Sequence, residues 1–343
     1  MNSPAPLVSI LVPAYNAARY LPELCQSIQA QTYPHYEVII GNDGSTDNSV
    51  SVLAPFLHDK RFQLLTWQQN RGAHQAWTIL CSATRGEYWC APGADDVLYP
   101  SFLERRVGIM ESNPQAFLVH GPPELIDECG EPPQRRPLPL KLPSQLSPPR
   151  SLEVLLQHNV INTPSVLVRS SVTRQVLPFF PWNWGYTNDW FSWILHTATV
   201  FDLLWDPQVQ NKYRIHSSSL SLAPEKGELR RAEVRLIPLV ALRTAAQYSQ
   251  WAALSWACWG RTLYWRWLRQ AVALNARGGL KDEWLQLAAH AYYGARGRRV
   301  SLWAELAKHS VGLVVADVRH RRAMKRQSFT VSGLAQIDDP IFR

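Results

Sequence analysis

Cysteine is scarce and scattered in this chain: Cys25, Cys81, Cys90, Cys129 and Cys258 are odd in number and nowhere form C-x-x-C. That spacing excludes a disulfide-stapled scaffold and a cysteine zinc site, and a reducing cytoplasm is the expected setting. Long hydrophobic runs are missing as well. The most apolar helical stretch, residues 251–260, falls well short of the ~20 residues that span a bilayer, so no transmembrane helix is expected. The opening MNSPAPLVSILVPAYN has no basic segment ahead of an apolar one, and no signal peptide is read there. Neither G-x-G-x-x-G nor G-x-x-x-x-G-K-[ST] occurs. A phosphate cradle built from backbone N–H groups of those two types is therefore excluded.

What is present is a globular composition, 46% hydrophobic over 343 residues, enough for one large domain and a smaller partner. The net charge of +8 is unevenly placed: residues 1–224 hold 15 Lys and Arg against 18 Asp and Glu, and residues 225–343 hold 20 against 9. The basic part also carries seven of the 15 tryptophans. Such a mixture suits an anionic membrane surface, an anionic lipid or nucleic acid, and equally a solvated helical face over an aromatic core.

The first 120 residues alternate β-branched runs with helical patterns, which predicts an α/β fold with an open, mostly parallel sheet and flanking helices. Strands are expected at 8–12, 36–41, 62–67, 87–91 and 117–120, and helices at 20–31, 47–57, 73–84 and 100–112. Between Pro122 and Pro149 nine prolines break any periodicity, so residues 121–150 read as an extended surface excursion outside the core. Residues 151–224 should complete the sheet, with helices at 152–158 and 189–197 and strands at 164–168 and 209–215. A second region, 225–343, turns helical from about Leu229, with breaks near Gly278-Gly279 and Gly294–Gly297. Three or four helices are expected there, and the tail 328–343 carries no assignable element.

In an open parallel sheet, ligands bind beyond the carboxyl ends of the strands. The loops at that edge are Pro13-Ala14-Tyr15-Asn16, Asn42-Asp43-Gly44-Ser45-Thr46-Asp47 and Pro92-Gly93-Ala94-Asp95-Asp96. They gather an aromatic ring and four carboxylates. Such an edge repels phosphate unless a divalent cation lies between them, and Mg²⁺ or Mn²⁺ takes carboxylate, water and phosphate oxygens together. A metal-bridged diphosphate is expected. Asp43 is suited to accept hydrogen bonds from a base or ribose, whereas Asp47, in S-T-D ahead of a helix, reads as capping chemistry.

The segments VSILVPAYNAARYLPELCQSIQAQTYPHYEVIIGNDGSTDNS, NRGAHQAW, GADDVLYPSFLE, NDWFSWI and YRIHSSSLS, spread in order over residues 8–221, resemble the inverting glycosyltransferases of family 2, which have the GT-A fold. The resemblance implies that Tyr15 lies against the nucleotide base, that Asp43 binds the base, that Asp95 binds the ribose and that Asp96 holds the metal, Mn²⁺ or Mg²⁺. Pro13, Arg71 and Arg214 join the donor-binding set, and His216 joins the metal shell or donates to the diphosphate. Family members often carry a further aspartate two positions before the pair; Gly93 stands there in this chain. In the second half the resemblance makes Asp189 the base that takes the acceptor proton, although the same residue reads as an acidic start to the following helix. Trp182, Trp184 and Trp190 are candidates for stacking on the acceptor sugar or for the core.

The implied function is inverting transfer of a sugar from a nucleotide-diphospho-sugar to a saccharide or lipid-linked hydroxyl acceptor, in cell-surface polysaccharide or glycolipid assembly. It would take place in the cytoplasm or peripherally on the inner face of the cell membrane, with no nucleic-acid partner expected. Two rivals stand beside it. Gly93 motivates a non-catalytic sugar-nucleotide-binding protein on a degenerate transferase fold, and a sugar-nucleotide nucleotidyltransferase shares the α/β pattern and the metal. The latter normally needs a glycine-rich loop and a lysine near the first strand, and this chain has neither there.

Overall fold

The computed structural model describes residues 5–133, 142–180, 188–199, 201–217, 219, 227–250 and 252–253. The amino-terminal half alternates β1 (Val8–Ala14), α1 (Leu21–Gln29), β2 (Tyr36–Asp43), α2 (Ser49–Leu53), β3 (Phe62–Trp67), α3 (Ala73–Ala83) and β4 (Tyr88–Cys90). Next come β5 (Val97–Leu98), α4 (Phe102–Glu111), β6 (Ala116–His120), β7 (Glu124–Ile126) and β8 (Gln145–Leu146). The second half holds α5 (Arg150–Gln157), β9 (Leu167–Arg169), α6 (Ser170–Val176), α7 (Asn188–Thr197), β10 (Asp202–Trp205), β11 (Asn211–Arg214) and α8 (Gly227–Ala245).

The main sheet runs in the order β3-β2-β1-β4-β9-β6-β10-β8, and β5-β11-β7 form a small second sheet. Strands β3, β2, β1 and β4 are parallel, as are β6 and β10, while β9 runs antiparallel between β4 and β6. Parallel strands covered on both faces need apolar residues on both sides, which is why VSILVPA and YEVIIGND read as near-continuous hydrophobic runs. Alternation still assigns the faces. Val8, Ile10 and Val12 of β1 meet Leu21, Leu24, Cys25 and Ile28 of α1, spaced at helical period, together with Phe102, Leu103 and Met110 of α4. Leu11 faces the other layer, where Trp77 and Leu80 of α3, Leu155 of α5, Trp193 of α7 and Leu242 of α8 pack.

Order along the chain creates the crevice. From β1 the chain moves outward through β2 to β3, then returns to add β4 on the opposite side of β1, so the loops after β1 and β4 part at a topological switch point.

The proline-rich excursion corrects one expectation, because it contributes two strands with buried residues, Ile126 in β7 and Leu146 in β8. Its prolines flank these short strands and do not interrupt their ladders. The segment 164–168 opens as a 3₁₀ turn (Thr163–Ser165) and becomes strand only at Leu167. Helix α8 starts at Gly227 and buries Leu236, Ile237, Leu239, Ala241, Leu242 and Ala245. The later helices, the glycine breaks and the tail lie outside the described residues. Among the described residues, no helix is long and apolar enough to cross a membrane.

Candidate active site

The loops after β1, β2 and β3 are knitted into one surface. Asn16, held at φ +49°, donates its N–H to Ser45 Oγ (2.9 Å) and accepts from Thr46 N–H through Oδ1 (2.8 Å). Asp47 takes Ala18 N–H on Oδ2 (3.0 Å) and Ser49 N–H on Oδ1 (2.9 Å). Burial alone would raise the Asp47 pKa, but the Ser49 hydroxyl and these amides outweigh it and hold it below the usual carboxylate value. Its work is to tie two loops together. Asp43 is buried, and its two oxygens accept Arg71 N–H (2.8 Å) and Gly72 N–H (2.9 Å), so this carboxylate shapes the 70–72 turn from below. Gly44 has φ +70°, and a Cβ there would come within 2.7 Å of Asn70 N, so the second and third loops meet backbone to backbone. Pro13 lies within β1 opposite Gly41, Arg71 is exposed, and Tyr15 presents its ring to solvent at 48% exposure.

The adjacent carboxylates after β4 sit in different surroundings. Asp96 is 1% exposed; Oδ2 accepts Gly93 N–H (2.8 Å) and Oδ1 accepts Arg214 N–H (3.1 Å). Burial, reinforced by the neighbouring Asp95 charge, pushes its pKa up to about 8 against those amide bonds. Asp95 is more open, and its Oδ2 lies 2.8 Å from His216 Nε2, whose ring rests 5.1 Å from that of Tyr20. Gly93 is the close-packed point of the loop: a Cβ there would lie 2.6 Å from Asp95 Oδ1 and 2.7 Å from Asp96 Oδ2.

Arg214, expected in the donor-binding set, forms an internal clamp. It is 2% exposed, with Nε donating to Asp95 O (2.8 Å), Nη1 to Asp127 O (3.2 Å) and Nη2 to Glu23 Oε2 (2.5 Å). The guanidinium thus clamps the end of β11 to the Asp95 loop, α1 and the turn after β7. Among the described residues, no three His, Cys, Asp or Glu side chains converge as a metal site.

Asp189 opens α7 in a separate group. Its Oδ1 accepts Trp190 N–H (2.7 Å), and its Oδ2 accepts Thr163 Oγ1–H (3.0 Å) and Asn159 Nδ2–H (3.2 Å). Neither Asn159 nor Thr163 was marked by sequence; the contacts span 30 and 26 residues, and no local motif carries them. Trp190, expected as a possible sugar platform, takes the core reading. It is 3% exposed and its indole N–H donates to Leu155 O (2.7 Å). Trp182 and Trp184 lie outside the described residues.

Residues 9–167 match the family profile described as Glycosyl transferase family 2. A Haemophilus influenzae protein named as an uncharacterized glycosyltransferase is 31% identical over 63% of this chain and 68% of its own length. A Bacillus subtilis protein named as the putative teichuronic acid biosynthesis glycosyltransferase TuaG is 26% identical over 64% of this chain and 84% of its own. A solved structure of the mannosyltransferase PcManGT from Pyrobaculum calidifontis, in complex with GDP-Man and Mn²⁺, shares the fold. Its TM-score is 0.52 at 16% identity, over 91% of this chain and 87% of that one. The mostly parallel sheet is that of the GT-A fold, and this chain belongs to glycosyltransferase family 2.

Proposed function

We propose that the chain transfers a sugar, with inversion, from a nucleotide-diphospho-sugar to a hydroxyl of a saccharide or lipid-linked acceptor in cell-surface polysaccharide assembly. The observation that carries this reading is the Asp95–His216 pair at 2.8 Å beside the knitted loops of the crevice. A carboxylate oxygen and an imidazole nitrogen suit Mn²⁺ or Mg²⁺, and a site with two protein donors leaves positions for diphosphate oxygens. Asp95 and His216 would therefore hold the ion. Asp96, which the resemblance implies as a metal ligand, keeps a lone pair on each oxygen beyond its backbone amide bonds and would lie beneath them as a further donor. The bound cation would offset negative charge growing on the departing diphosphate.

The chain's own groups divide the remaining work. Tyr15 offers an exposed ring for the base, and Asp43 fixes the 70–72 turn against which the donor rests. Arg214 clamps β11, so His216 at its end is delivered to Asp95. Asp189 takes the proton as the acceptor O–H bond breaks. The acceptor oxygen bonds to the anomeric carbon, and the anomeric C–O bond to the diphosphate breaks with its electron pair on the leaving nucleoside diphosphate. The relative named for teichuronic acid biosynthesis supports a polysaccharide or lipid-linked acceptor, and the basic carboxy-terminal part suits delivery at an anionic membrane surface.

A panel of UDP-, GDP- and dTDP-sugars tests the reading, with nucleoside diphosphate release measured in Mn²⁺ and in EDTA. One donor class should be turned over, and EDTA should abolish the release. Binding without turnover of any donor would favour the non-catalytic alternative, and turnover unchanged in EDTA would refute the metal.

A further inference from the structure

Asp189 is gripped by side chains that lie 26 and 30 residues before it. We infer that Thr163 and Asn159 are positioning residues for Asp189, and the inference rests on the reading of Asp189 as the base. Both come from the segment between α5 and β9. Thr163 begins a 3₁₀ turn closed by Ser165, whose N–H (3.0 Å) and hydroxyl (2.8 Å) both return to the carbonyl of Asn162. Asn159 uses Oδ1 to accept Ile161 N–H (3.3 Å), which leaves Nδ2 directed at Asp189. Val160, Ile161, Ser165 and Val166 around them are buried, so the two donors are offered by a backbone fixed in the core.

The carboxylate is fixed from its own side too. Trp190 donates its backbone N–H to Oδ1, and the Trp190 indole anchors α7 to the Leu155 carbonyl of α5. The spacing between Thr163 and Asp189 is thereby set by core packing, as a reacting group needs if it is to be held within a fraction of an ångström. Donors thus reach both oxygens of the carboxylate. Thr163 and Asn159 lie outside the reacting atoms; they orient Asp189.

The test follows kcat/KM against pH for Thr163→Val, Thr163→Ser, Asn159→Ala and Asp189→Asn, using whichever of UDP-GlcNAc, UDP-glucose and GDP-mannose the wild type turns over fastest. Thr163→Val and Asn159→Ala should each lower kcat by about tenfold and move the acidic limb upward by about one pH unit, because the charged carboxylate loses a donor. Thr163→Ser keeps the hydroxyl and should bring rate and limb back toward wild type. Loss of packing alone lowers activity without moving the limb, so the limb separates positioning from structure. An unmoved limb in both Thr163→Val and Asn159→Ala, with Asp189→Asn inactive, would overturn the inference alone. Wild-type turnover in Asp189→Asn would overturn the base reading and the inference with it.

Discussion

Gly93 shows how one residue can change what a site is made of. Where relatives often place a carboxylate, this chain has a glycine whose missing Cβ makes room for the Asp95 and Asp96 side chains at 2.6 and 2.7 Å, and whose N–H binds Asp96. A methyl group there requires the Asp95 and Asp96 carboxylates to shift. Gly93→Ala is therefore expected to raise the Mn²⁺ concentration for half-maximal turnover roughly tenfold or more, with a modest fall in melting temperature because the loop is largely buried. A metal titration checks this, and wild-type Mn²⁺ dependence would show that the loop relaxes around the methyl group. Asp95, Asp43 and Tyr15 could be picked from sequence because residues just past parallel strands must line the crevice. The different burial of Asp95 and Asp96 could not, because it depends on which carboxylate the backbone amides of Gly93 and Arg214 reach.

At the scale of elements, the carboxyl end of β10 is locked to α4 by charge. Asp206 takes two bonds from Arg105 (2.7 and 2.8 Å) and one from Arg106 Nη1 (2.9 Å), and Arg106 is fully buried. Burial would raise the Asp206 pKa, but the Arg105 hydrogen bond and both guanidinium charges outweigh it and leave it below the usual 3.8. A carboxylate lowered in the folded state is protonated first in the unfolded one. Its stabilisation is complete above the ordinary carboxylate range and is lost as pH falls through the lower native value. Asp206→Asn strands the Arg106 charge and should cost about 3–5 kcal/mol at neutral pH, with melting temperature less sensitive to acid than in wild type. Identical melting curves at neutral pH and in acid would show the cluster to be inert. This part of the chain was the least legible: β10 is four residues, DLLW, with no alternation to separate it from a loop, and β7 and β8 are three and two residues among prolines. By contrast β1 to β4 and α1 to α4 were readable because buried parallel strands and one-sided helices write long, contrasting patterns.

At the scale of the whole molecule, the proposed reaction needs two groups of side chains. The proposed donor side comprises the loops after β1, β2, β3 and β4 with the end of β11; the proposed acceptor side comprises α7 and the α5–β9 segment. The first announces itself in local sequence, whereas the second is assembled by contacts 26 and 30 residues apart and was marked only by Asp189 and by Trp182, Trp184 and Trp190, of which Trp190 belongs to the core. The basic stretch 225–343 adds a charge opposite in sign to the 1–224 part, which suits an enzyme that takes a soluble donor and meets its acceptor at an anionic surface. The central claim is that Asp189 performs proton transfer in a crevice whose donor side is independent of it. The direct measurement pairs turnover with calorimetric binding of the donor's nucleoside diphosphate for Asp189→Asn and wild type. Turnover should fall roughly 10²–10⁴-fold with nucleotide affinity unchanged; turnover within about threefold of wild type would contradict the account.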